Sequence, residues 1–172
     1  VSSVANSDPE EKDMWTEDFN NDGKQDLIVV RKQPFSSPTQ PGKSTLLLMN
    51  VNGILTDQTL LHAPQFIDSI SFARDVFVGD FDGDSWKDVI IANTFLQQPQ
   101  YFRNEGNDSL GNWKGFIEET SLRLPVLSED PVRFCAVWAG DVTGDGALDI
   151  YLDGFFAQKI NSSGITQWTA GG

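Results

Sequence analysis

Apolar residues in this chain gather in short runs rather than at helical spacing. Leu27-Ile28-Val29-Val30, Val89-Ile90-Ile91-Ala92 and Ile150-Tyr151-Leu152 are β-branched runs that read as buried strands. Around each run the same plan unfolds. The first unit carries strands over 14–18, 27–32, 44–50 and 54–60, with Asn52-Gly53 closing the last pair as a tight hairpin. The second carries 72–78, 89–95, 100–104 and 114–120, its hairpin widened by Glu105 to Asn112. The third carries 132–139, 150–156, 157–161 and 165–169, with a turn at Ser162-Ser163-Gly164. The pattern predicts 3 × 4 = 12 strands and no helix. Residues 33–43, rich in Pro and Ser, read as a surface loop, and residues 1–13 as a polar leader or linker.

Four antiparallel strands per unit, recurring at a fixed period, describe β-propeller blades in an all-β chain. The blades are expected over 14–60, 61–120 and 121–172. Three cannot close a ring, which takes at least four, so the expectation is an incomplete propeller with two bare blade faces.

The loop after each first strand carries the chemistry. Asp80-Phe81-Asp82-Gly83-Asp84-Ser85-Trp86-Lys87-Asp88 recurs as Asp18-Phe19-Asn20-Asn21-Asp22-Gly23-Lys24-Gln25-Asp26 and as Asp141-Val142-Thr143-Gly144-Asp145-Gly146-Ala147-Leu148-Asp149. The starts lie 80 − 18 = 62 and 141 − 80 = 61 residues apart. Oxygen-bearing side chains at positions 1, 3, 5 and 9 converge on a hard cation, which is otherwise the only relief for such crowded charge. Calcium accepts six to eight oxygens in a tolerant geometry. The predicted ligands are Asp18, Asn20, Asp22 and Asp26, then Asp80, Asp82, Asp84 and Asp88, then Asp141, Thr143, Asp145 and Asp149. The backbone carbonyls at position 7, from Lys24, Trp86 and Ala147, complete three Ca2+ sites. An EF-hand would close with Glu at position 12 between two helices, whereas Val29, Ile91 and Leu152 stand there, inside strand-like runs.

The middle loop has four aspartates and the outer loops three, so ligand charge predicts the tightest site in the middle. Ser85 takes position 6, where glycine would supply a left-handed turn, and Gly83 is expected to absorb part of that strain. Read instead as catalytic carboxylates, these aspartates make poor general acids, because a bound cation keeps them ionised.

Net charge is −13 and the pI about 4.2, which makes nucleic acid and anionic membranes poor partners. Three Ca2+ would cancel six of those charges. No apolar run has the length of a membrane span, and no stretch reads as a signal peptide. The chain opens on Val1, so it is expected to be processed or part of something longer. Cys135 is the single cysteine and reads as a small buried hydrophobe, excluding an internal disulfide. His62 is the single histidine and no Ser or Cys motif accompanies it, so nucleophilic catalysis has no support and the chain reads as a non-enzyme. Trp15 and Trp138 are expected in the core, while Trp86 and Trp113 are candidates for stacking on sugars. Asn107 and Asn161 begin glycosylation sequons. Loops of this kind in extracellular modules work at ~10⁻⁴–10⁻³ M calcium, which points outside the cell.

Val78-Gly79-Asp80-Phe81-Asp82-Gly83-Asp84 with Asp88-Val89-Ile90, and Ala139-Gly140-Asp141 with Asp149-Ile150, resemble the FG-GAP or VCBS repeats of integrin-like propellers. Phe102-Arg103-Asn104-Glu105-Gly106 and Ile117-Glu118-Glu119-Thr120 resemble the same repeats, and the likeness runs from about Met14 to Thr169. It implies a propeller, typically of seven blades, with structural calcium in its loops and an adhesion or recognition role on the cell surface or in secretion. Some members of the family are built into lectins and polysaccharide lyases. The expected partners are a protein or glycan ligand, copies of the chain itself, or further blades.

Overall fold

The computed structural model describes residues 11–32, 44–68, 72–93, 97–124 and 136–152, together with the backbone of 155–158 and 167–170. Three four-stranded antiparallel sheets follow one another along the chain. The first comprises β1 (Glu11–Glu17), β2 (Asp26–Arg31), β3 (Leu46–Val51) and β4 (Ile54–Asp57). The second comprises β5 (Ala73–Gly79), β6 (Asp88–Asn93), β7 (Gln100–Asn104) and β8 (Phe116–Glu118). The third comprises β9 (Val137–Gly140), β10 (Asp149–Leu152), β11 (Phe155–Gln158) and β12 (Gln167–Ala170). Each sheet is a meander in which every strand pairs with its sequence neighbour. The hairpin at Asn52-Gly53 has both residues in the left-handed region (φ 55° and 85°), the pair of conformations that its tight two-residue turn requires.

The sheets pack face on face, and the second lies between the other two. Val76, Val78, Val89, Ile91, Phe102 and Phe116 point from one of its faces toward Ile28, Val30, Leu47 and Met49 of the first sheet. From the opposite face Phe77, Ile90, Ala92 and Tyr101 meet Val137, Ala139, Ile150 and Leu152 of the third. Alternation of side chains across a strand explains the division, and burial on both faces explains why β6 is buried along its whole length. Each fully buried Leu, Ile or Phe contributes about 1.5–3 kcal/mol, so these two interfaces dominate the fold's stability.

Where the sequence pattern leads to no helix, three single-turn helices occur among the described residues: α1 (Thr59–His62), α2 (Gln65–Asp68) and α3 (Thr120–Arg123). A polar switch ends β4 and β8 early. Asp57 Oδ1 accepts from the Thr59 amide (3.1 Å) and hydroxyl (2.7 Å), and Thr59 Oγ1 accepts the amide of Leu47 (2.9 Å). One repeat later, Glu118 Oε1 accepts from the Thr120 amide (2.9 Å), and Thr120 Oγ1 accepts the amide of Tyr101 (2.9 Å). The threonine hydroxyl takes over the inner strand's donor, so the outer strand has nothing left to pair with and turns away. Residues 33–43, Cys135, Asn161 and the turn at 162–164 lie outside the described residues.

Candidate metal centre

The three acidic loops leave the ends of β1, β5 and β9 and return into β2, β6 and β10. Each is wound by its first aspartate. Asp18 accepts the amides of Asp22 (3.0 Å) and Gly23 (2.7 Å), Asp80 those of Gly83 (2.8 Å) and Ser85 (2.9 Å), and Asp141 those of Gly144 (2.7 Å), Asp145 (3.0 Å) and Gly146 (3.0 Å). The fifth-position aspartate caps the seventh residue. Asp22, Asp84 and Asp145 accept the amides of Lys24, Trp86 and Ala147 at 2.9–3.0 Å.

Positions 4 and 6 are left-handed in every loop: Asn21 and Gly23, Gly83 and Ser85, Gly144 and Gly146. Gly83 takes one left-handed position of the turn at φ 79°, but it does not spare Ser85 the other. Ser85 itself sits at φ 74°, with its amide held by the Asp80 carboxylate at 2.9 Å.

In the middle loop the oxygens of Asp80, Asp82 and Asp84 lie within 4.8 Å of one another, the one such acidic group among the described residues. Burial and the neighbouring carboxylates push Asp84 above its ordinary range, though its bond from the Trp86 amide opposes them. Asp82 Oδ1 is shielded from water and accepts no hydrogen bond. Its other oxygen takes the guanidinium of Arg123 at 3.0 Å, and both side chains are only 11% exposed. A carboxylate oxygen that is shielded and has no donor, on a side chain grouped with two more carboxylates, fits a hard cation. Asp80, Asp82 and Asp84 are the side chains that would hold it.

The ninth-position aspartates lie deeper. Asp26, Asp88 and Asp149 are buried. Asp26 accepts the amides of Phe19 (3.2 Å) and Asn50 (2.8 Å), tying the loop to β3. Asp88 accepts the amide of Asn104 (2.8 Å) and the hydroxyl of Tyr101 (2.6 Å), with the Phe81 amide at 3.4 Å. Asp149 Oδ2 accepts the amides of Val142 and Thr143, both at 2.9 Å. Burial raises Asp88 to about 7, against the lowering effect of its hydrogen bonds, and burial likewise raises Asp26. These three carboxylates rivet loop to sheet.

The outer loops differ. In the first, the Lys24 ammonium sits on Asp22 at 2.9 Å, an exposed pair that holds the Asp22 carboxyl below its ordinary range. Asn20 Oδ1 accepts the Asp22 amide (3.1 Å). Loop three is exposed from Asp141 to Gly146.

Two residues outside the acidic pattern complete the centre. Asn104, fully buried, donates from Nδ2 to the carbonyls of Phe19 (2.9 Å) in the first loop and Lys87 (3.2 Å) in the second. Its Oδ1 accepts the Trp113 indole (2.8 Å) and the Gly106 amide (3.1 Å). Arg123 closes the other side: its Nε donates to Glu119 (2.8 Å), which also accepts Arg103 (2.9 Å), and its guanidinium carbon stands 5.3 Å from the centroid of the Tyr101 ring. Against the cost of burial, these two arginines hold Glu119 below its ordinary range. Asn104 falls in a segment that resembles the repeats, but nothing local gives it or Arg123 a place at the loops, since their partners there lie up to 85 residues away.

Of the tryptophans, Trp113 is half-buried, hydrogen-bonded and packed 4.7 Å from the His62 ring, and Trp86 lies against Gly106. Trp15 packs on the core, its ring 5.0 Å from Phe77. Trp138, expected in the core, is 53% exposed on the outer face of the third sheet. Burial pushes His62 below its ordinary value, and its ring faces Trp113.

Successive four-stranded antiparallel blades, each wound from an acidic loop after its inner strand, define an all-β repeat protein of the β-propeller type. The model of the FG-GAP-like repeat matches residues 18–91 and again 80–152, so the chain belongs to the FG-GAP-like repeat family. No curated protein matches the chain.

Proposed function

We propose that the chain is a calcium-stabilised, non-enzymatic recognition module that works outside the cell, with Ca2+ held in its three blade loops. The observation that carries this reading is the convergence of Asp80, Asp82 and Asp84, with Asp82 Oδ1 shielded and undonated. Calcium suits it because all the donors are hard oxygens and the backbone amides that wind the loops leave carboxylate lone pairs for a cation. At a calcium concentration ten times Kd, each site contributes about 1.4 kcal/mol to stability. Thermal melts in calcium and in chelator are expected to separate by many degrees, and coincident melts overturn the reading. The ligand is proposed to be a protein or glycan bound by loops carried on the rigid sheets, such as 105–115, where Asp108 organises the turn by accepting the amides of Leu110 (2.8 Å) and Asn112 (2.9 Å).

A second reading, an assembly unit that packs against another blade, is favoured by one repeat-spaced set of residues. Trp15, Phe19 and Ile28 of the first blade pack toward the second. One repeat on, Phe77, Phe81 and Ile90 pack against the third. Their counterparts one repeat further, Trp138, Val142 and Tyr151, are 53%, 59% and 41% exposed. Trp138 and Tyr151 are direct cross-strand partners. The same positions that dock one blade on the next stand open on the third, and another blade, of this polypeptide or of a second copy, would cover them.

A further inference from the structure

We propose that Arg123 is an internal counter-ion of the middle loop and sets its affinity for a divalent cation, an inference that rests on the calcium reading above. The middle loop is the one with a carboxylate at position 3; Asn20 and Thr143 stand there in the others. It is also the one whose third-position side chain is met by a buried guanidinium, at 3.0 Å. The charges then balance. Among the outer three loop positions, three aspartates less one arginine leave 3 − 1 = 2 negative charges, the number carried by Asp18 and Asp22 in the first loop and by Asp141 and Asp145 in the third. Glu119 does not cancel Arg123, because it is shared with Arg103; with Glu105, which lies 3.9 Å from Arg103 and 3.4 Å from Lys114, three cations face three carboxylates, Glu105, Glu119 and Asp82.

Arg123 is also held too firmly to be displaced. Nε is fixed by Glu119 at 2.8 Å, Nη2 by Asp82 at 3.0 Å, and the guanidinium lies by the Tyr101 ring, whose hydroxyl in turn donates to Asp88. A guanidinium stays protonated at any working pH, so its charge remains when the cation arrives. Lys24 on Asp22 is the contrast, an exposed ammonium on a flexible stem that a cation displaces at little cost. Arg123 therefore cancels the advantage that Asp82 would give the middle site, while Asp82 Oδ1 keeps no hydrogen-bond donor of its own. It also ends α3, one residue before Leu124, which is buried between the second and third blades.

Calcium titration followed by the backbone amide of Gly83 tests this in the full chain, with the Gly23 amide of the first loop as an internal reference. Arg123→Gln is expected to lower the Kd read at Gly83 about tenfold or more, by removing one nearby positive charge. Asp82→Asn alone is expected to raise it by a similar factor, since Arg123 is then left uncompensated. The double variant is expected to return to within about threefold of the parent. An unchanged or weakened Kd in Arg123→Gln, or a double variant no tighter than Asp82→Asn, overturns the proposal. The second comparison holds even if Arg123→Gln alone fails to fold, because the double variant removes both halves of the buried pair. If Gly83 in the parent ignores calcium altogether, the calcium reading falls and takes this one with it.

Discussion

Ser85 shows how a single residue bears the cost of the loop. A non-glycine residue in the left-handed region is destabilised by roughly 1–2 kcal/mol, and Ser85 is held there at φ 74° by the bond from its amide to Asp80. Gly23 and Gly146 occupy the same turn position without that strain. Ser85→Gly is expected to stabilise the protein by about 0.5–1 kcal/mol, the relief of strain less the extra entropy of an unfolded glycine. Chemical denaturation measures this, and no gain would mean that the serine side chain makes a compensating contact. The φ value was only partly legible in the sequence. Position 6 could be flagged as a glycine position from the other two loops, but the share of strain between Gly83 and Ser85 depends on which amides Asp80 captures.

At the scale of elements, the inner strands carry a second repeated device that the alternation of apolar residues conceals. Asp13 in β1 accepts the amide of Val76 in β5 (3.3 Å), and Asp75 in β5 accepts the amide of Val137 in β9 (2.8 Å). Each blade thus reaches into the next through an aspartate, at positions 75 − 13 = 62 residues apart. Burial, and a hydrogen bond with Asp13, raise Asp75 above the ordinary 3.8. A raised carboxyl favours folding in its protonated form. Its contribution is therefore complete below about 3.8 and is lost as pH rises through the elevated value. Asp75→Asn keeps the acceptor for Val137 and abolishes the ionisation. The variant is expected to match the parent at acid pH and to be the more stable at neutral pH, as read by melts across the range. A constant difference at all pH values would show that the pair does not titrate with folding. The sequence showed Asp13 and Asp75 as polar strand residues; that they staple neighbouring blades follows only from the packing of β1 on β5 and β5 on β9.

For the whole molecule, the open face of the third sheet decides between a recognition module and an assembly unit. Soluble monomers seldom expose contiguous apolar patches beyond a few hundred Å2, and Trp138, Val142 and Tyr151 stand where the first two blades bury their counterparts. If copies of the chain associate through that face, sedimentation in calcium is expected to show species above 19.0 kDa. Trp138→Ser is then expected to restore the monomer while changing the melting temperature little, since the indole is 53% exposed within the chain. A parent chain that sediments as a monomer at every accessible concentration removes the assembly reading and leaves the face to a further blade or a ligand.

The amino-acid sequence by itself determined the repeat, the antiparallel blades and the acidic loops, because these rest on short-range rules. Side chains alternate across a strand, Asn52-Gly53 turns a hairpin, and the first and fifth aspartates of each loop bond to amides within five residues of themselves. Three-dimensional structure decided what those rules do not reach. Thr59 and Thr120 end their strands because each meets a donor on a strand brought alongside by the sheet. Asn104 joins two loops across 85 residues, and Arg123 reaches Asp82 across 41. Trp138, as apolar as Trp15, is exposed because a side chain's period selects only a face of the sheet. Whether that face is buried depends on what packs there, and the first blade has a neighbour on that side.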